Sequence, residues 1–137
     1  IRRRHVSAAT NYLENEVLDH VLGKGTRDFT SPTSLYVGLL TAVSDGEAAS
    51  WTEVSGTNYA RTSVAFGAAS SGSATNSADV EFPAAGAGGW GTVTHIAIFD
   101  ASSAGNALFY GALSASRAVD EADIFTIVAG NLSISLA

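Results

Sequence analysis

Cysteine and methionine are both absent from this 137-residue chain, and proline occurs only twice. Without cysteine there is neither a disulfide framework nor a thiolate metal site, and the redox compartment stays open. Without methionine, Ile1 reads as the residue left after processing or after an upstream segment, not as a translation start. Charge is sparse too: Asp, Glu, Lys and Arg make up 15% of the residues. No apolar run approaches the roughly 20 residues needed to cross a bilayer. The basic start Arg2-Arg3-Arg4 has no apolar stretch behind it of the kind a secretory signal carries. Internal repeats are missing, and no linker divides the chain, so residues 7–137 read as one domain, long enough to bury a core unaided.

Glycine is abundant, with 14 residues, and alanine, serine and threonine fill much of the rest. That is the usage of a β protein with many tight turns. The net charge is −6, and three of the seven basic residues are Arg2, Arg3 and Arg4, so four basic residues face thirteen acidic ones in the body. Affinity for a phosphate backbone comes from Lys and Arg, so this acidic body argues against nucleic-acid binding. Residues 1–6 read as a flexible, solvated basic arm.

The most informative stretch is Trp90 to Asp100, followed by Asn106 to Leu113. Two apolar, β-branched and aromatic runs flank a small-residue turn, which is how a β-hairpin is written. Strict alternation places Val93, Ala97 and Phe99 on one face and Ile96 and Ile98 on the other. A strand apolar on both faces lies in a core or between a core and a partner. Further strands are expected at 35–40, 59–66 and 78–82, with a last pair at 124–128 and 132–136 joined by Ala129-Gly130-Asn131. Residues 44–50, 68–77 and 84–89 read as loops. Leu13, Val17, Leu18, Val21 and Leu22 recur at helical spacing, which predicts one helix over 7–23, capped by Ser7 or Thr10 and ended by Gly23. The fold expected is mainly β: a single-domain sandwich or jelly-roll-like barrel with one N-terminal α-helix.

Catalytic chemistry is hard to assemble from these residues. The glycines of 86–91 precede a strand and lack the lysine of a phosphate-binding loop, so they read as a tight turn ahead of a buried Trp90. His95 sits mid-strand, where a histidine is usually a hydrogen-bonded core or interface residue. His20 and Asp19 diverge around the helix and make no dyad. No Gly-x-Ser-x-Gly elbow marks a nucleophile. Asp120, Glu121 and Asp123, like Asp45 and Glu47, read as solvated turns, not as metal ligands. Arg61 is expected to pair with Glu53, Asp79 or Glu81. No catalytic, metal or cofactor residue is assigned, and no cofactor is expected. Trp51, Tyr59, Trp90 and Tyr110 are of a type that stacks on sugars, but also of a type that fills cores and interfaces.

Five segments taken in order carry a resemblance: SAATNYLENEVLDHVLG (7–23), SPTSLYVGLLTA (31–42), EVSGTNYAR (53–61), NSADVEFP (76–83) and WGTVTHIAIFD (90–100). Together they resemble a family of small virion proteins of tailed bacteriophages, often labelled tail fibre proteins. The resemblance covers residues 7–137 and implies a structural part of the particle without catalytic residues.

The function expected is therefore a non-enzymatic virion protein, first a capsid decoration or cement subunit bound to the major capsid protein in many copies. A tail or tail-fibre subunit bound to tail proteins is the alternative, and a carbohydrate-binding host-attachment module is the second. The particle is the expected location, after assembly in the bacterial cytoplasm, with neither membrane nor specific nucleic acid as partner. The chain is expected to form a homo-oligomer, trimer before dimer. Its partner interface is assigned to the helix and part of the hairpin, through Leu13, Val17, Val21, Trp90, His95 and Phe99. The motive is an apolar surface larger than soluble monomers usually expose.

Overall fold

In the computed structural model, residues 8–25 and 29–136 are described. The basic arm expected at 1–6 and the cap at Ser7 lie outside the described residues. Strand β1 (Ala8–Ala9) leads through Thr10 into helix α1 (Asn11–Leu22). The helix starts later than expected because residues 8 and 9 pair with another strand instead of extending it. Thr10 caps the first turn: its extended backbone lets Oγ1 accept from the Leu13 amide at 3.4 Å. Gly23 closes the other end in the left-handed region, φ 68°, where its amide donates to the Asp19 carbonyl.

The remaining strands are β2 (Leu35–Asp45), β3 (Ser50–Glu53), β4 (Thr62–Val64), β5 (Ser73–Thr75), β6 (Val80–Glu81), β7 (Gly91–Phe99), β8 (Ala107–Val119), β9 (Thr126–Ile127) and β10 (Ser133–Ser135). The main sheet is antiparallel in the order β1-β8-β7-β2-β3, and β4 shares the outer edge of β2 with β3. Two small antiparallel pairs, β5 with β10 and β6 with β9, form the second layer. The sheets do not close into a barrel; the sandwich is the form adopted.

Three sequence expectations need correction. The runs at 124–128 and 132–136 do not pair with each other; β9 joins β6 and β10 joins β5. The expected loops at 44–50 and 68–77 contain the end of β2, the start of β3 and all of β5, whose small polar residues carry little strand signal. The alternation of β7 slips by a residue as well. Its register with β8 shifts between Val93 and His95, and Val93 joins Ile96 and Ile98 in the inner core instead of facing Ala97 and Phe99. Such an irregularity re-aims side chains that a simple two-residue period would place opposite.

Between the layers lies the main core: Val37, Leu39, Ile96 and Ile98 from the sheet meet Val80, Phe82, Phe125 and Leu132 from the second layer. Asn76, 2% exposed, ties that second layer together. Its Nδ2 donates to the carbonyls of Ala78 and Val128 at 2.9 and 3.2 Å, and its Oδ1 accepts from the Leu132 amide at 2.9 Å. A buried amide with both ends satisfied fixes the spacing of three chain segments that share no continuous sheet.

Candidate interaction surface

At one end of the sandwich the polar groups are spent on one another. Arg61 donates from Nε and Nη2 to the two carboxylate oxygens of Glu53, each at 2.8 Å. Its guanidinium lies 3.4 Å from the centre of the Phe99 ring. Nη1 donates to the carbonyls of Ala101 and Ala104, pinning the loop between β7 and β8. Of the three carboxylates weighed from sequence, Glu53 is the partner. The Tyr59 hydroxyl donates to Glu53 at 2.7 Å and accepts from the Leu39 amide at 2.9 Å. Burial first, then the neighbouring carboxylate, pushes that phenol well above its ordinary range.

Tyr59 also stacks on Phe82 and meets Trp90 edge to face, with centroids 5.4 Å apart for the latter. Trp90 is buried, and its indole Nε1 donates to the Thr57 carbonyl at 3.0 Å. The glycine turn ahead of it behaves as expected: Gly88 and Gly89 adopt φ 87° and 67°. A Cβ on Gly89 would lie 2.6 Å from the Val119 carbonyl oxygen, so no other residue fits there. Two of the four candidate sugar-stacking aromatics, Tyr59 and Trp90, are thus engaged in the interior. Trp51 and Tyr110 are half-buried on the outer face of the main sheet, packed on each other and, through Trp51, on Phe99.

His95 lies on that outer side, half-buried, sharing a hydrogen bond between Nδ1 and Thr94 Oγ1 at 2.8 Å. Burial lowers its pKa from the ordinary histidine value. The Tyr110 hydroxyl is raised by burial and by the carboxylates of Glu47, Asp45 and Glu14. Among the described residues no group of three or more His, Asp or Glu side chains is placed to hold a metal ion. Asp123 instead closes a tight turn, accepting from the Asp120 amide through Oδ2 at 3.0 Å.

The six residues assigned to a partner interface therefore separate. Leu13 is buried against the chain's own body, Trp90 belongs to the inner core, and Phe99 belongs to the small outer core on the opposite face of the sheet. Those three have no surface to offer. Val17 and Val21 do: they are exposed, together with Leu18 and Leu22. Leu13 anchors the first turn of α1, and the next two turns carry their apolar side chains into solvent. Val21, at 71%, is the most exposed large hydrophobic side chain among the described residues.

A second surface, concave and edged by apolar side chains, went unrecognised in the sequence. Beside β8 the two layers stand apart and leave a groove of about 610 Å³, lined by Leu113, Val119, Phe125 and Ile134 and rimmed by exposed Ile124 and Val128. A smaller groove of about 300 Å³, reaching exposed Leu136, meets it at Ile98, Phe109 and Ile134. Their one available signal was that the apolar residues Ile124 and Val128 fall just outside the very short β9, where no strand pairing buries them.

No curated protein matches the chain. A family model does match, over residues 8–135; it is the Gp80 family, described as podophage GP4 fiber I protein gp80. The match runs through the helix, the main sheet and both small strand pairs, so the chain belongs to this family of phage fibre proteins.

Proposed function

We propose that this protein is a non-enzymatic structural subunit of a phage virion, built into a tail fibre. The match of almost the whole chain to a fibre family carries the reading. It also reverses the order expected from sequence, in which capsid decoration came first. The structure is consistent in its chemistry: the best-organised polar cluster, Arg61–Glu53–Tyr59, is consumed in holding the sheet and a loop together. The partners are other tail proteins and further copies of this chain, with three copies favoured over two, and assembly takes place in the host cytoplasm.

Immunogold labelling and quantitative mass spectrometry of purified particles test the reading. A few to tens of copies per particle, labelled at the tail, are expected. Hundreds of copies distributed over the shell would overturn it in favour of decoration. Zymography on bacterial cell wall should give no clearing. A glycan array tests attachment directly, and a hit abolished by Trp51→Ala would assign the outer Trp51–Tyr110 pair to sugar binding.

A further inference from the structure

The described surface holds one convex apolar feature, the stripe of α1, and beside β8 two adjoining grooves that reach the exposed apolar side chains Ile124, Val128 and Leu136. We infer that helix α1 of one copy seats its exposed face in the groove beside β8 of the next copy, head to tail, closing a ring. The inference rests on the reading of this chain as a self-associating fibre subunit and names the surfaces that reading requires.

The helical face consists of Glu14, Val17, Leu18, Val21 and Leu22, the i, i+3, i+4, i+7, i+8 positions of one stripe. Docking it into the groove would bury Glu14, and a buried carboxylate needs a cation. The groove supplies one. Arg117 lines it, and the only ion pair among the described residues is Arg61–Glu53, so Arg117 has no carboxylate of its own. The head of the helix has the opposite deficit: Glu14, Asp45 and Glu47 together act on Tyr110, and among the described residues no cation pairs with them. Charge therefore matches helix to groove. Helix against helix, run antiparallel, would offer Glu14 the His20 and Lys24 end of the partner helix but would leave the groove and its Arg117 uncovered.

Because the two surfaces differ, the contact is heterologous: every copy gives a helix and receives one, and a rotation of about 120° per copy closes three copies as a ring, whereas a rotation that does not close would leave an open filament. Light scattering on the purified full chain at tens of micromolar should return three times the 14.0 kDa chain mass. Two variants then block opposite halves of the joint, Leu18→Asp with Val21→Asp on the helix and Ile124→Asp with Val128→Asp on the groove rim. All four positions are exposed, so both variants should keep the parent circular dichroism spectrum. Each alone should be a monomer, and an equimolar mixture should stop at a dimer, since one intact joint remains.

A monomeric parent, a groove variant that assembles like the parent, or a mixture that stays monomeric would each overturn the inference. Arg117→Glu should weaken assembly about tenfold or more, and adding Glu14→Arg to the same chain should restore it; no restoration removes the charge pairing. These outcomes concern the purified chain, whereas the reading as a virion subunit fails only if particles lack the protein.

Discussion

The Arg61 end of the sandwich and the α1–β8 side are built on opposite plans. At the first, polar and aromatic groups close on one another: Arg61 meets a carboxylate, a ring face and two carbonyls, and Trp90 meets two rings and a carbonyl. On the second, a stripe of large apolar side chains and an open groove face water. The difference separates stability from association within one small chain. Substitutions at the closed end should cost folding free energy, whereas substitutions on the open side should cost assembly.

The largest expected effect is Trp90→Ala, which empties a site in the main core and leaves the Thr57 carbonyl without its donor. A loss of about 3 to 5 kcal/mol follows from the cavity alone, measured by urea denaturation. Val17→Asp on the helix should change stability by less than about 0.5 kcal/mol, as surface substitutions do, while abolishing the oligomer. If Val17→Asp unfolds the chain, the stripe is ordinary core and the contrast collapses.

Asn76→Ala should rank next, at about 2 to 4 kcal/mol, because two carbonyls and an amide lose partners in a buried setting. Arg61→Ala should follow at about 2 to 3 kcal/mol, since Glu53 and the carbonyls of the 101–104 loop lose their donor. Arg61→Lys should recover less than half of that loss. An ammonium cannot make the paired contact to Glu53 or lie flat on the Phe99 ring. Amide exchange should report the loosening first at residues 101–105.

Much of this contrast was legible in the residues, and the illegible part has physical causes. The helix, its Gly23 cap, the hairpin and the buried Trp90 each have a local signal: a 3.6-residue stripe, a left-handed cap and apolar runs around a turn. The direction in which the stripe points has none. Periodicity says that Val17, Leu18, Val21 and Leu22 share a face, but Leu13 and the pairing of Ala8–Ala9 with β8 decide where that face is aimed. The slip at Val93 arises from long-range register with β8, so a two-residue period misplaced that side chain. Short strands of serine, alanine and threonine such as β5 are held by partners about sixty residues away, and the groove exists only because two distant segments stop short of each other.

The smallest expected effect sharpens the comparison from its middle, at His95. Burial lowers its pKa below the ordinary histidine value near 6.5. The unfolded chain therefore binds this proton more tightly than the folded one. The contribution of neutral His95 is fully present above about pH 6.5 and is lost as pH falls through the depressed folded value. His95→Gln keeps a polar side chain for the Thr94 hydroxyl and removes the titration. Stability of the parent relative to this variant should decline between pH 7 and pH 5. Urea midpoints at the two pH values measure it. Because the His95 side chain is on the outer face and does not line the groove, the oligomer mass of the variant should equal that of the parent at pH 7. A variant that folds normally but fails to assemble would place His95 in the contact and move the boundary between the two halves of the molecule.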